Sequence, residues 1–135
     1  NNVLLQKRAL MKYHTPGLWA NTCCTHPSWS EDPVDCARRR LKEELGIEVS
    51  ELVYKNKIDY KADVGNGLIE NETVDVFVGS IETKDKLQML LNHDEVSEVK
   101  WISFETLKQE ILLVPSKFTP WLRIYMQDHF DQIIN

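Results

Sequence analysis

The pattern of apolar and polar residues predicts that the chain opens with β structure. Residues 3–9 read as a strand, and residues 18–24 read as a second extended segment. Between them, Pro16-Gly17 is a strong turn signal, because proline fixes its own φ angle and glycine accepts conformations closed to other residues. We therefore expect two extended segments joined through one tight turn.

A helical pattern follows at Asp32-Pro33. Aspartate suits the residue that caps a helix, and proline suits the first helical position. Apolar residues then recur at spacings of three and four, which is typical of an amphipathic helix: Val34, Ala37, Leu41 and Leu45. Gly46 follows the last of them and predicts the C-terminal cap.

The second half of the chain predicts strands followed by helices. Residues 52–62 and 71–82 are rich in Val, Ile, Tyr and Phe, and they flank the turn-like segment 63–67. The remaining predicted elements are a strand at 99–103, a helix from Ser103 to about Leu112, and a last helix over 119–130 with Leu122, Tyr125 and Met126 on one face. Strands and helices in this order indicate a mixed α/β fold.

Composition limits the class of protein. The 135 residues, 42% of them hydrophobic, suit one domain over 1–135. No apolar run approaches the roughly 20 residues that cross a bilayer, and the net charge of −5 argues against a nucleic-acid partner. Three cysteines, an odd number, predict a reducing compartment, the cytoplasm. Because the chain begins at Asn1, without methionine and directly at a predicted strand, we expect further residues upstream.

Two basic clusters lie on this acidic chain, at residues 7–12 and 38–42. Each is compatible with a small anionic ligand or with a solvated surface. The predicted helix also holds two pairs of opposite charge four residues apart: Arg39 with Glu43, and Arg40 with Glu44. Exposed pairs of this kind are worth about 0.3–0.5 kcal/mol each, so surface ion pairs are one interpretation of this helix.

The wider spacing of these charges resembles the Nudix box, a loop–helix–loop that sets carboxylates on a divalent cation next to a diphosphate. The matching positions are Glu31, Arg39, Leu41, Glu43, Glu44, Gly46 and Ile47. Two positions depart from the pattern, since Thr25 replaces the first glycine and Arg40 replaces a glutamate. Replacing a carboxylate by a guanidinium favours holding a diphosphate over cleaving it, because arginine donates paired hydrogen bonds to phosphate.

Three further motifs resemble signatures of the type 1 isopentenyl-diphosphate isomerase family: PGLWANTCCTHP at 16–27, LIENETVDVF at 68–77 and FTPW at 118–121. The resemblance runs from about Leu5 to Trp121. It implies the Nudix fold, an α/β (α+β) fold with a mixed β-sheet sandwiched between helices. It also implies an enzyme of isoprenoid biosynthesis that interconverts isopentenyl and dimethylallyl diphosphate. That reaction proceeds by protonation and deprotonation through a carbocation-like intermediate, and it needs an acid and a base on opposite faces of the alkene.

The resemblance also implies roles for individual residues. The implied catalytic residues are Cys24, Glu72, Tyr60 and Trp121, and the implied substrate-binding residues are Arg8, Lys12 and Arg40. The implied metal ligands are Glu44 for Mg²⁺ on the substrate diphosphate, and His26, Glu70 and Glu72 for a second divalent metal, Mn²⁺, Zn²⁺ or Mg²⁺. The family's second site uses three histidines and two glutamates, so we expect two more histidine ligands upstream of Asn1.

Alternation along extended segments bears on the same residues independently. Successive side chains point to opposite faces, so Cys24 should share a face with His26 while Cys23 points away. Taken alone, this Cys-x-His is half of a metal site, a reactive thiol with a helper, or core packing. Glu70 and Glu72 share a face with the valines that follow them. An inward face predicts a metal or a raised pKa there, and a protruding strand end predicts solvation.

Two other functions stay open at this point. The box alone indicates a Nudix diphosphohydrolase, although Arg40, Cys24 and the Glu-x-Glu motif argue against it. A non-catalytic Nudix-like diphosphate-binding module would keep the fold and lose the chemistry. In every case we expect a small-molecule diphosphate as the partner, no nucleic acid or membrane, and a monomer or weak dimer.

Overall fold

Strands and helices are both present, as the sequence predicts. The computed structural model describes residues 1–65 and 67–134. The strands are β1 (Asn2–Arg8), β2 (Trp19–Ala20), β3 (Leu52–Gly65), β4 (Leu68–Gly79) and β5 (Val96–Ser103). The helices are α1 (Pro33–Leu45), α2 (Phe104–Leu113), α3 (Pro120–Asp128) and α4 (Phe130–Ile134), with short 3₁₀ turns at Lys84–Lys86 and Pro115–Lys117.

The strands form two antiparallel sheets. One sheet has the order β2-β1-β5, and the other is the β3–β4 hairpin. An isolated parallel bridge joins Trp19 to Phe118. The expected mixed sheet therefore takes the form of two antiparallel sheets, with parallel pairing limited to this bridge in the described part of the chain. In the hairpin, Tyr60 lies directly opposite Glu72.

The β3–β4 hairpin is longer than the sequence predicts. β3 continues to Gly65 and β4 begins at Leu68, so most of the predicted turn at 63–67 is paired strand. Gly65 and Gly67 have φ angles of 94° and 73°. Only glycine enters this region readily, which explains why the chain reverses here. Asn66, at the centre of the predicted turn, lies outside the described residues.

Helix α1 begins and ends where the sequence predicts. Pro33 is the first helical residue, and Gly46 closes the helix in the left-handed conformation with φ of 66°. Two details differ from the prediction. The side chain of Asp32 makes no capping hydrogen bond. The fully buried residues are Cys36, Leu41, Glu44 and Leu45, whereas Val34 and Ala37 are half-buried, because the buried face is rotated toward the charged residues of the box.

Two predicted elements are shorter in the structure. In the segment 18–24 only Trp19–Ala20 is strand, and the residues after it form a loop. The last predicted helix is divided at His129 into α3 and α4. Its start is as expected, since the Thr119 side chain accepts a hydrogen bond from the Leu122 amide at 3.4 Å. The start of α2 is capped in the same way by Ser103.

Three apolar clusters make up the core. The first packs β1 and β5 against α2 and α3, around Leu5 and Phe118. The second packs β3 against α3, around Ile58 and Trp121. The third lies under α1, around Leu45. Among the helices of residues 1–65 and 67–134, none has the length and apolar character needed to cross a membrane.

Candidate active site

Cys24 lies in the loop after β2, against the start of α3. Its thiol donates a hydrogen bond to Asn21 Oδ1 at 2.9 Å, and Trp121 Nε1 donates to Cys24 Sγ at 3.1 Å. Burial raises the pKa of the Cys24 thiol to about 12. The thiol therefore keeps its proton at neutral pH, and a general acid requires that state.

Cys23 points away from this centre, as alternation predicts. It packs in the apolar cluster under α1 with Leu41. Its thiol approaches Glu44 Oε2 at 3.5 Å. Cys24 instead packs in the cluster that holds Trp121. The two adjacent thiols therefore serve different environments, and only Cys24 faces the aromatic cluster.

The three side chains predicted as metal ligands come together. His26 Nε2 lies 4.0 Å from Glu70 Oε1 and 3.7 Å from Glu72 Oε1. One ligand atom from each residue fits within a span of 4.8 Å. The hairpin supplies both carboxylates from one face of β4, and the loop after Cys24 supplies the imidazole.

This donor set fits a divalent cation. An imidazole and two carboxylates suit Mn²⁺, Zn²⁺ or Mg²⁺. Glu70 Oε2 is buried and has no hydrogen-bond partner among the described residues. Burial, and then the charge of Glu72, raises the pKa of Glu70. A cation would satisfy the orphaned oxygen and relieve the repulsion between the carboxylates.

Tyr60 and Trp121 are buried beside these groups. Tyr60 packs edge-to-face on Tyr125, with 6.0 Å between ring centroids. Burial, and then the charge of Glu70, raises the pKa of Tyr60 well above its usual range, so its hydroxyl stays a donor. Trp121 is only 3% exposed. The predicted aromatic residues therefore do lie next to Cys24 and Glu72.

Arg8 is a buried cation with an unused donor. Its guanidinium lies 5.3 Å from the centroid of the Trp121 ring. Nη2 donates a long hydrogen bond of 3.4 Å to the carbonyl oxygen of His14. Its Nε is buried and has no partner among the described residues. Because buried donors are normally paired, this arrangement fits an anionic ligand.

Glu44 is the most enclosed charged residue of the box, at 4% exposed. Arg40 holds it from the same helix, with 2.9 Å between Arg40 Nη2 and Glu44 Oε2. Gln6 Nε2 donates to Glu44 Oε1 at 3.0 Å. The predicted pairing of Arg40 with Glu44 is therefore present, and it is a partly buried contact rather than a surface one.

Lys12 and Arg40 converge on a carboxylate that the sequence did not single out. Lys12 Nζ lies 2.5 Å from Glu95 Oε2, and Arg40 Nη2 lies 3.6 Å from Glu95 Oε1. Glu95 precedes β5 and is remote from both partners in sequence. The hydrogen bond from Lys12 lowers the pKa of Glu95, so the carboxylate is ionised at neutral pH.

The other box carboxylates are engaged by Arg39. Its Nε donates to Glu31 Oε2 at 2.8 Å, and its Nη1 donates to Glu43 Oε1 at 2.8 Å. This confirms the expected pairing of Arg39 with Glu43. Because Arg39 engages Glu31 and Glu43, Glu44 is the carboxylate of helix α1 that is buried in the site.

One open cleft of about 1010 Å³ is lined by residues of both groups, although Glu72 lies outside its lining. Cys24, Tyr60 and Trp121 line one part of it, and Arg40 and Glu44 line another. The two parts meet at the adjacent cysteines, since Cys24 contacts the aromatic part and its neighbour contacts Glu44.

Three residues of this cleft were missed by reasoning from the sequence: Asn21, Gln6 and Glu95. Asn21 accepts hydrogen bonds from both Cys24 and Trp121, at 2.9 and 3.2 Å. Asn21 lies inside the motif at 16–27, so its place in the sequence could have identified it as a site residue. For Gln6 and Glu95 the sequence carries no signal, because their partners come from distant segments.

Comparison with known proteins places the chain in a family. The NUDIX domain family matches residues 1–122. Isopentenyl-diphosphate Delta-isomerase of Ruegeria pomeroyi is 53% identical over 132 residues, which cover 98% of this chain and 72% of that protein. The protein of the same name from Dinoroseobacter shibae is 54% identical over 130 residues, covering 96% of this chain and 73% of that protein.

Solved structures share the fold. The MutT NUDIX hydrolase from Burkholderia pseudomallei superposes with a TM-score of 0.69 at 21% identity, covering 95% of this chain and 88% of that one. The MutT protein from Methanosarcina mazei superposes with a TM-score of 0.64 at 17% identity, covering 96% and 82%. The chain therefore belongs to the NUDIX domain family. The two relatives at 53% and 54% identity carry the name isopentenyl-diphosphate Delta-isomerase.

Proposed function

We propose that this protein is an isopentenyl-diphosphate Delta-isomerase of isoprenoid biosynthesis. The name shared by relatives at 53% and 54% identity supports this reaction. The observation that carries the proposal is the Cys24 thiol, held between Trp121 at 3.1 Å and Asn21 at 2.9 Å. It opens onto a cleft that Glu70 also lines. A NUDIX fold with these groups suits proton transfer at carbon more than hydrolysis.

The proposed chemistry moves one proton onto the substrate and removes another. The Cys24 thiol gives its proton to the terminal CH₂ carbon, whose alkene electron pair forms the new C–H bond and leaves a tertiary cation. Glu72 then takes a proton from the neighbouring CH₂ group, and that C–H electron pair forms the new double bond. The indole face of Trp121 stabilises the cation by about 2 kcal/mol when it is desolvated. Tyr60, opposite Glu72 in the hairpin, is the proposed helper of this base.

The diphosphate binds at the cationic part of the cleft. Arg8 offers the buried Nε that lacks a partner among the described residues. Lys12 and Arg40 add an ammonium and a second guanidinium. These groups bind the end of the substrate that does not react, so they serve orientation and affinity.

Two metal positions accompany this scheme. Glu44 is the proposed ligand for the Mg²⁺ that accompanies the diphosphate. A divalent cation held by His26, Glu70 and Glu72 would neutralise the paired carboxylates and set the proton affinity of Glu72. Three ligands leave the shell of a transition metal incomplete, and the two upstream histidines expected from the family pattern stay a prediction.

The hydrolase alternative fits the box helix less well. Hydrolysis requires carboxylates free to hold metal and activate water. In this helix position 40, a glutamate in the box pattern, is an arginine, so the box has one carboxylate fewer. We also propose that the protein acts in the cytoplasm, since its three cysteines are all free. A monomer or weak dimer stays a prediction.

One assay separates the candidate functions. The protein is incubated with isopentenyl diphosphate and Mg²⁺, and both dimethylallyl diphosphate and free phosphate are measured. We expect the isomer to form without release of phosphate. Phosphate without isomer would identify a hydrolase, and binding without turnover would identify a non-catalytic module.

A further inference from the structure

Glu95 sits in a tight turn just before β5. Its amide donates to the carbonyl oxygen of Asn92 at 2.9 Å, and the Val96 amide donates to the same oxygen at 2.9 Å. The Asn92 side chain closes the turn by accepting from the Asp94 amide at 3.1 Å. The backbone that carries Glu95 is therefore fixed by local hydrogen bonds.

This turn is docked on the end of helix α1. The Leu90 amide donates to the carbonyl oxygen of Leu45 at 2.8 Å, and the Asn92 amide donates to that of Glu44 at 2.9 Å. The approach is close, because a Cβ atom on Gly46 would stand 2.6 Å from the Leu90 nitrogen. The last carbonyl groups of the box helix are thus satisfied by the segment that leads into Glu95.

The same turn holds the segment that carries Lys12. The Ala9 amide donates to the carbonyl oxygen of Glu95 at 3.0 Å, and the Lys12 amide donates to that of Ala9 at 3.2 Å. Glu95 therefore joins two parts of the chain that each supply a cation to the cleft, the segment after β1 and helix α1.

The carboxylate of Glu95 completes this connection. One oxygen binds Lys12 at 2.5 Å, and the other lies 3.6 Å from Arg40. Lysine has three N–H donors and arginine has five, so both residues keep donors for a phosphate while they contact Glu95. Without this carboxylate, two like charges would face each other and the flexible lysine would be free to turn toward solvent.

We propose that Glu95 is a positioning residue for diphosphate binding, which holds Lys12 and Arg40 in the arrangement that receives the substrate. The inference rests on the proposed function, because it assigns the diphosphate to these cations. Glu95 does not touch the reacting carbons. Its effect should therefore appear in the affinity for substrate and not in the chemical step.

The test compares Glu95→Gln with Glu98→Gln. Both variants remove one negative charge, but Glu98 is an exposed residue on β5 opposite Lys7. We expect Glu95→Gln to raise the KM for isopentenyl diphosphate about tenfold, with kcat changed by less than about twofold. We expect Glu98→Gln to leave both constants unchanged. A KM equal to that of the parent, a lower KM, or a loss confined to kcat would overturn the proposal.

A double-mutant cycle with Lys12→Met shows whether Glu95 acts through the lysine. If it does, Glu95→Gln should raise KM much less in the Lys12→Met background than in the parent. Equal effects in both backgrounds would exclude that route. Thermal unfolding of each variant identifies a merely structural effect, which would lower stability and leave KM unchanged.

A binding measurement separates this inference from the proposed function. Calorimetric titration with the Mg²⁺ complex of inorganic pyrophosphate needs no turnover. A parent protein that binds pyrophosphate but forms no isomer would refute the isomerase alone. A Glu95→Gln variant that binds pyrophosphate as tightly as the parent would refute the role of Glu95 alone.

Discussion

The adjacent cysteines allow a sharp test of the proposed acid. Cys24→Ala removes the thiol that Trp121 and Asn21 hold. A positioned general acid contributes about 10²–10⁴-fold to a rate, which corresponds to about 2.7–5.5 kcal/mol of barrier. We therefore expect kcat to fall by at least about a hundredfold.

Cys23→Ala is the matched control. It removes one sulfur from the cluster under α1 and a weak donor 3.5 Å from Glu44, whose carboxylate keeps its contact with Arg40. The expected cost is about 1 kcal/mol of stability and less than about threefold in kcat.

Initial rates are followed by NMR as isopentenyl diphosphate converts to the dimethylallyl isomer, and thermal unfolding confirms that each variant folds. Equal loss of activity in the two variants would refute the assignment. A Cys24→Ala enzyme within about tenfold of the parent would show that Cys24 is not the acid.

Three more predictions follow from the same cleft. Glu70→Gln should raise the unfolding temperature of the metal-free protein by a few degrees at pH 7. Burial and the charge of Glu72 raise the pKa of Glu70 in the folded protein. Ionised Glu70 therefore destabilises the folded state at pH values above the ordinary carboxyl pKa, and this cost is absent below that pKa. An unchanged or lower unfolding temperature at pH 7 would contradict the prediction. Arg40→Glu should raise KM at least about tenfold in steady-state assays, because it replaces a phosphate donor by a carboxylate; lower stability with unchanged KM would mean that Arg40 serves only its ion pairs. Asn21→Ala should lower kcat about tenfold with little change in KM, because it removes the acceptor that orients the Cys24 thiol; an unchanged kcat excludes that role.

Local chemistry explains which parts of the fold were predictable. Pro33 and Gly46 set the ends of α1, since each residue has conformational limits that act within one turn of the chain. Ser103 and Thr119 set the starts of α2 and α3 in the same way, through hydrogen bonds to amides three residues on. Alternation also predicted that the adjacent cysteines would point to different environments, and they do so although the chain forms a loop rather than a strand after Ala20.

Contacts between distant segments explain the rest. Lys12 and Glu95 are 83 residues apart, and no periodicity or motif links them. The extent of β2 depends on what pairs with it, and its ladder with β1 covers Trp19 and Ala20. The buried position of Glu44 has the same origin, since Gln6 comes from β1, 38 residues away. The sequence therefore predicted the functional side chains of the cleft more fully than the contacts that hold its cationic residues in place.

The charges of the cationic part explain why position 40 distinguishes this box from that of a hydrolase. The cationic part of the cleft consists of Arg8, Lys12 and Arg40 together with Glu44 and Glu95. The three positive and two negative charges of these residues give a net charge of +1. A diphosphate monoester carries about −3 at neutral pH, and one bound Mg²⁺ reduces this to about −1. The charge of the magnesium complex therefore balances that of these five residues, while the free diphosphate would leave negative charge uncompensated beside Glu44.

A glutamate in place of Arg40 would change the net charge of the five residues from +1 to −1, and the same magnesium complex would then be repelled. A further metal ion would be needed to restore neutrality, and a site with several metal ions is suited to activating water for attack on a diphosphate. Arg40 thus favours retention of an intact diphosphate, which an isomerase needs while the chemistry proceeds at the other end of the substrate.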